Sequence, residues 1–234
     1  MKNLSLAIMI LVLFALGCRA PKFLEVGNPD VAESESTTTA TAPANPETAP
    51  TDDPRADVIR ASKKFLDLPR FSATMDGEGK TPMHIELDYQ SPDRFHMTYR
   101  DPDGTVRTET IIIGRDMYMK VGQNWQKMPG ALGKTVPQIR ELFDEKGLES
   151  LRDVNYAGEE SVDGERAYLY NYQNEAKEGM SPYPFTSKIW VRSADGLPKK
   201  IQVDYEGGEL KTLSIVYDYE KPVSIEPPAT SSKR

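Results

Sequence analysis

The chain has 234 residues and a formal net charge of −7, with 29 Lys and Arg against 36 Asp and Glu. This acidic balance argues against a surface that neutralises many nucleic-acid phosphates. One cysteine and two histidines exclude a disulfide framework and a cysteine-based zinc cluster. The length allows one substantial domain, for which we predict no cofactor, no metal and no nucleic-acid partner.

The first residues have the pattern of an export signal. Lys2 supplies a positive charge, and Leu4 to Leu16 is an uninterrupted apolar run that ends just before the only cysteine, Cys18. As a helix this run would span about 20 Å, which is short of the ~30 Å hydrocarbon core of a bilayer. We therefore expect residues 1–17 to be a signal peptide and not a membrane span.

The segment Ala15 to Cys18 (ALGC) resembles a bacterial lipobox, where signal peptidase II cuts before a diacylated cysteine. The resemblance implies that Cys18 carries acyl chains such as palmitate and anchors the mature protein outside the cytoplasm. Because Arg19, and not Asp, follows this cysteine, the outer membrane is slightly favoured over the inner membrane. An ordinary signal peptide, cut after Gly17 or Ala20, is the alternative.

Composition divides the remainder of the chain. Residues 18–53 are rich in Thr, Ala and Pro and contain too little apolar surface to offset the conformational entropy lost on folding. We expect a disordered linker over 18–53, one folded domain over 54–227, and a disordered tail over 228–234.

Two amphipathic helices are predicted within the domain. Over Pro54 to Leu66, Asp53 can cap the first turn and the apolar residues recur with a helical period. Over Thr135 to Gly147, a threonine can cap the helix and a glycine can end it.

The rest of the domain has apolar residues with a period of two, which is typical of strands that have one buried face. Dipeptides such as Asp76-Gly77, Asp103-Gly104 and Gly207-Gly208 separate the runs, as in β-hairpins. A long antiparallel sheet must cover its apolar face, so we predict a mainly β domain in which two short helices cap a strongly curved sheet. The predicted strands are Phe71–Met75, Met83–Tyr89, Phe95–Tyr99, Arg107–Ile113, Asp116–Val121, Asn124–Lys127, Asn155–Ser161, Ala167–Gln173, Ser187–Val191, Lys199–Tyr205 and Leu210–Tyr219.

Several segments resemble the LolA/LolB superfamily, which includes the LppX/LprG-type lipoproteins. They are the helix that precedes all strands, Ser91–Phe95 (SPDRF), the hairpin Ile111–Pro129, and the closing segments Lys188–Tyr205 and Leu213–Pro227. The resemblance covers residues 54–227 and implies a half-open β-barrel that holds acyl chains on its concave side. It implies an anchored, monomeric lipoprotein of lipid or lipoprotein transport and sorting. The alternative is an anchored scaffold of the same fold that binds a protein or senses envelope stress, without lipid cargo.

The apolar strand positions are the candidate lining of the cavity. The methionines among them have flexible side chains that suit an adaptable apolar site. For any single position, packing against the predicted helices is the alternative. The candidate lining is Met83, Ile85, Leu87, Phe95, Met97, Tyr99, Met117, Met119, Ile201, Val203, Tyr205, Leu213, Ile215 and Tyr217.

Common catalytic motifs are absent from the sequence. It contains neither a G-x-S-x-G nor an H-E-x-x-H motif, and Gly133-Lys134-Thr135 lacks the earlier glycine of a P-loop, since Met128 occupies that position. His84 and His96 fall at polar positions of adjacent strands, which indicates an outer face and not a metal site. The sequence therefore predicts a protein that is not an enzyme.

Overall fold

A computed structural model describes residues 46–128, 148, 151–174 and 185–230. Eleven antiparallel strands form one sheet with the order β6-β5-β4-β3-β2-β1-β11-β10-β9-β8-β7. The sheet is curved and does not close, because β6 and β7 are its two edges. The strands are β1 (Arg70–Gly79), β2 (Met83–Gln90), β3 (Arg94–Arg100), β4 (Val106–Ile113), β5 (Asp116–Val121), β6 (Asn124–Met128), β7 (Leu151–Val162), β8 (Glu165–Asn174), β9 (Phe185–Arg192), β10 (Pro198–Tyr205) and β11 (Leu210–Asp218).

Helix α1 (Pro54–Leu66) has the bounds predicted from its sequence. The Asp53 side chain accepts a hydrogen bond from the Ala56 backbone N–H at 3.0 Å, which satisfies one of the free donors of the first turn. Lys63 and Lys64 in the last turn complement the helix dipole. The second predicted helix, over Thr135 to Gly147, lies outside the described residues.

The mainly β character and the predicted strands are confirmed. Strand β7 begins at Leu151, earlier than the predicted Asn155, and it reaches this length through two irregularities in its pairing with β8. The left-handed conformation of Asp153, with φ of 51°, lies at the first of them. Bulges of this kind interrupt a simple period of two, which explains why the sequence pattern missed the start of the strand.

The hairpin turn predicted at Asp76-Gly77 is wrong, because both residues lie inside β1 and pair with β2 and β11. A Cβ at Gly77 would lie 2.7 Å from Cγ of Met83 and 2.9 Å from Cδ1 of Leu210. The glycine therefore allows neighbouring side chains to approach the strand closely, and it does not make a turn.

Ordered structure extends beyond the predicted domain boundaries. A short 3₁₀ helix covers Pro46–Thr48, inside the predicted linker 18–53, and the buried Thr48 hydroxyl donates to the Ser193 carbonyl. At the other end, Thr230 forms a parallel bridge with Trp125, so described structure reaches into the predicted tail 228–234. Both extensions depend on contacts with distant strands, which composition alone does not reveal.

In the part of the chain that the structure describes, no helix has the length and apolar character needed to cross a membrane.

Candidate functional site: the inner face of the curved sheet

Strand register defines the inner face of the sheet. Directly paired residues on neighbouring strands point to the same side, and residues two apart on one strand share that side. The inner side chains therefore form rows across the sheet. The rows are Tyr172–Ser187–Val203–Leu213–Gly77–Met83; Tyr170–Ile189–Ile201–Ile215–Met75–Ile85–Tyr99; Tyr217–Ala73–Leu87–Met97–Thr110–Met119; and Phe71–Tyr89–Phe95–Ile112–Met117–Met128.

The structure brings all of the predicted lining residues to this face. Tyr205 pairs with Phe185 in the row next to Val203, and every other member lies in a row given above. All except Met119 belong to one apolar cluster, and Met119 is partly exposed beside the buried Thr110. The cluster of mostly buried side chains extends from β8 to β6, so the inner face is mainly apolar, with Ser187 and Thr110 as buried polar positions.

Helix α1 packs on one half of this face. Its main contacts are with β7, β9 and β10, and its buried residues Val58, Ala61 and Phe65 join the apolar cluster. The Phe65 ring lies 4.8 Å from the ring of Phe71 and 5.0 Å from that of Tyr217. Tyr217 therefore packs against the helix. From its sequence position, such packing is the alternative to lining a cavity.

A buried carboxylate fixes α1 to the sheet. Asp57 is only 3% exposed and accepts hydrogen bonds from the Thr51 backbone N–H at 2.8 Å and from the Tyr170 hydroxyl at 3.1 Å. Arg60 forms an ion pair with the same side chain at 2.8 Å. Burial, together with the charge of Asp57 and this hydrogen bond, raises the pKa of Tyr170 well above its ordinary value. The hydroxyl thus stays protonated and remains a donor to Asp57.

The other half of the inner face is formed by β2 to β6, and we call its methionines the methionine wing. The wing consists of Met83, Met97, Met117, Met119 and Met128. Tyr89 and Phe95 lie between them with ring centres 5.1 Å apart. This half is mainly apolar as well, and its methionine side chains are longer and more flexible than the β-branched side chains of β9 to β11.

The central part of the inner face is electrically neutral, and the ion pair of Glu159 with Arg166 lies at its β7–β8 edge. The rows given above contain no Asp, Glu, Lys, Arg or His. Burial raises the pKa of Tyr172 to about 12 and also raises the pKa of Tyr99 and of Tyr205, so these phenols are protonated near neutral pH. A neutral apolar surface can bind hydrocarbon without leaving a charge desolvated.

The outer face carries the charged groups. His84 lies 2.6 Å from Asp76 and His96 lies 3.0 Å from Glu109, so both histidines pair with carboxylates on this side. Burial disfavours ionisation of Glu109, but hydrogen bonds from Lys120 and His96 outweigh it, and its pKa is lowered. Within the described ranges, no group of three or more His, Cys, Asp and Glu residues is arranged to hold a metal ion.

Sequence reasoning did not detect the segment that crosses the outer face, Tyr219 to Thr230, which we call the C-terminal strap. Its Val223 and Ile225 are buried in an outer apolar cluster with Ile111 and Tyr118. The alternation of these two apolar residues could have indicated a segment with one buried face. The sequence does not indicate that this face packs against β4 and β5.

A small depression of about 170 Å³ also lies on β7, β8 and β9. Most of its residues are polar, although Tyr172 and Ser187 also belong to the first row of the inner face. It is bordered by Asp153, Asn155, Asn171, Tyr172, Gln173, Thr186, Ser187 and Lys188. The predicted acylation site, Cys18, lies outside the described residues.

Solved structures are similar to this chain, whereas no protein-family model and no curated protein matches it. The lipoprotein LppX of Mycobacterium tuberculosis is 12% identical, with a TM-score of 0.58, and the match covers 74% of this chain and 98% of LppX. LprF from Mycobacterium bovis is 13% identical, with a TM-score of 0.58 and coverage of 77% and 99%. The chain therefore has the LolA/LolB-like fold that its sequence predicts, a half-open barrel built from one curved antiparallel sheet.

Proposed function

We propose that this protein is an anchored extracytoplasmic lipoprotein that binds acyl chains on its inner face and takes part in the transport or sorting of lipids or lipoproteins. The observation that carries the proposal is the single apolar cluster, whose rows carry no formal charge, on the inner side of a sheet whose edges do not pair. A sheet that is open at its edges provides a concave surface on which a long flexible ligand can lie.

The energetics of such binding follow from the area of hydrocarbon removed from water. Each buried methylene contributes about 0.8 kcal/mol, so ten buried methylenes would contribute ~8 kcal/mol before the entropic cost of association. No charged partner is required for this gain. We therefore propose a carrier that performs no chemical reaction on its ligand and needs no cofactor.

The predicted lipid anchor gives the carrier its location. Acylation at Cys18 would hold the domain at a membrane outside the cytoplasm, and Arg19 slightly favours the outer membrane. LppX, which has a similar fold, is itself described as a lipoprotein. Membrane attachment would place the acyl-binding face near its source of lipid.

Binding of a fluorescent fatty acid tests the proposal. The exported chain with Cys18→Ala, which cannot carry the predicted anchor, should bind the probe saturably at one site. Met119→Lys places a charge on the inner face and should weaken binding at least about fivefold, because hydrocarbon would then desolvate an ammonium group. Lys120→Gln changes the next residue of β5, on the outer face, and should leave binding unchanged. Absence of saturable binding to the parent chain would contradict the proposal.

A further inference from the structure

The described methionines are unevenly distributed over the sheet. All of them except Met75 lie on the inner face of β2, β3, β5 and β6, in the methionine wing. Met97 is separated from Met119 by Thr110 in one row, and Met117 lies directly beside Met128 in the next row. Met119 lies two residues from Met117 on β5, so Met117, Met119 and Met128 are neighbours, whereas other inner residues separate them from Met97 and Met83.

The opposite half of the inner face has different side chains. On β9 to β11 the inner positions include five β-branched residues, Ile189, Val191, Ile201, Val203 and Ile215. Such side chains have one strongly preferred χ1 rotamer and present a stiff surface. This is also the half where α1 makes its main contacts, with β7, β9 and β10, and α1 is fixed there by Asp57.

Methionine has a different physical character. Its side chain is unbranched, has three rotatable bonds and carries a polarisable sulfur, so it fills irregular spaces and adapts to partners of different shape. A surface of adjacent methionines can follow a kinked or branched chain at little cost, whereas a surface of branched residues cannot. One half of the face is thus rigid and the other half is adaptable.

We infer that the methionine wing makes the site accept acyl chains of different shapes and so gives it a broad ligand specificity. Straight saturated, cis-unsaturated and methyl-branched chains would all bind with similar affinity. This inference rests on the proposed function, since it names the class of ligand that the same face accepts. Met119, a partly exposed methionine next to the buried Thr110, is where chains of different shape would diverge.

Displacement of a fluorescent fatty acid by palmitate, oleate and phytanate tests this inference on the exported chain with Cys18→Ala. The three acids should have dissociation constants within about threefold of one another, because adaptable side chains discriminate poorly by shape. The triple variant Met97→Leu, Met117→Leu, Met119→Leu conserves volume and apolarity. It should keep palmitate within about twofold and weaken phytanate and oleate by about fivefold or more, because leucine follows irregular chains less well.

Ile113→Leu is the matched control, because it also conserves volume and apolarity but Ile113 lies on the outer face of β4. It should leave the relative affinities for the three acids unchanged. If the triple variant were too unstable to purify, Met119→Leu alone, at a partly exposed position, should shift selectivity in the same direction.

Two outcomes would overturn the inference while leaving the proposed function intact. One is a parent chain that binds palmitate more than about tenfold more tightly than the other two acids. The other is a triple variant whose selectivity equals that of the parent. A parent chain that binds none of the three acids would instead refute the proposed function.

Discussion

At the scale of single residues, Asp57 is central to how the inner face is built. Its carboxylate is almost fully buried and is held by Thr51, Arg60 and Tyr170, so it connects the start of α1 to strand β8. A buried charge of this kind is costly to leave unpaired, and every partner shown here contributes to offsetting its desolvation.

We predict that Asp57→Ala lowers the free energy of unfolding by about 2–4 kcal/mol, because it leaves Arg60 and the Tyr170 hydroxyl without their shared acceptor. Urea unfolding followed by circular dichroism measures this change. Asp52→Ala, at an exposed position five residues earlier in the chain, is the control and should change stability by less than about 0.5 kcal/mol. Equal effects of the two substitutions would contradict the role assigned to Asp57.

Gly77 lies at a position where the sequence pattern predicts a turn and the structure has a continuous strand. An Asp-Gly dipeptide between two apolar runs is typical of a hairpin turn, yet Gly77 is paired on both sides within β1. Its lack of a side chain is needed for the close approach of Met83 and Leu210. That requirement comes from residues on β2 and β11, so it could not be predicted from the dipeptide itself.

At the scale of elements, the C-terminal strap crosses the outer side of the half of the sheet that carries the methionine wing. Lys221 pairs with Asp88 at 2.8 Å, and the Ile225 backbone N–H donates to the Gln90 side chain at 2.8 Å. Arg94 donates to the Ile225 carbonyl at 2.6 Å, and Thr230 pairs with Trp125 on the edge strand β6. One segment thus contacts β2 to β6 and restrains that half of the sheet.

We expect Ile225→Ala to lower the free energy of unfolding by about 2–4 kcal/mol, because Ile225 is 4% exposed and its removal leaves a space beside Ile111 and Tyr118. The neighbouring Ser224→Ala, at an exposed position, should have an effect below about 0.5 kcal/mol. Thermal or urea unfolding of both variants gives the comparison. A difference between them of less than about 0.5 kcal/mol would mean that the strap is not anchored at this position.

At the scale of the whole molecule, the order of the sheet follows from short connections. Most strands pair with strands that are adjacent in sequence. The exception is β1, which also pairs with β11 in the middle of the sheet. Apolar residues with a period of two predicted the strands, except for the start of β7 and the later part of β1, and the face on which the candidate lining residues meet. The half that α1 covers could not be predicted in this way, because it depends on distant contacts such as that between Asp57 and Tyr170.

The most direct test of the account is the mass of the protein purified from a bacterial envelope. The exported chain with Cys18→Ala, isolated under mild conditions, should show by native mass spectrometry a fraction that carries acyl lipid, and lipid extraction should identify chains of more than one shape. Met119→Lys should reduce that fraction, and Lys120→Gln should not. A ligand-free mass for the parent chain, together with no uptake of added fatty acid, would contradict the claim that the inner face is an acyl-binding site.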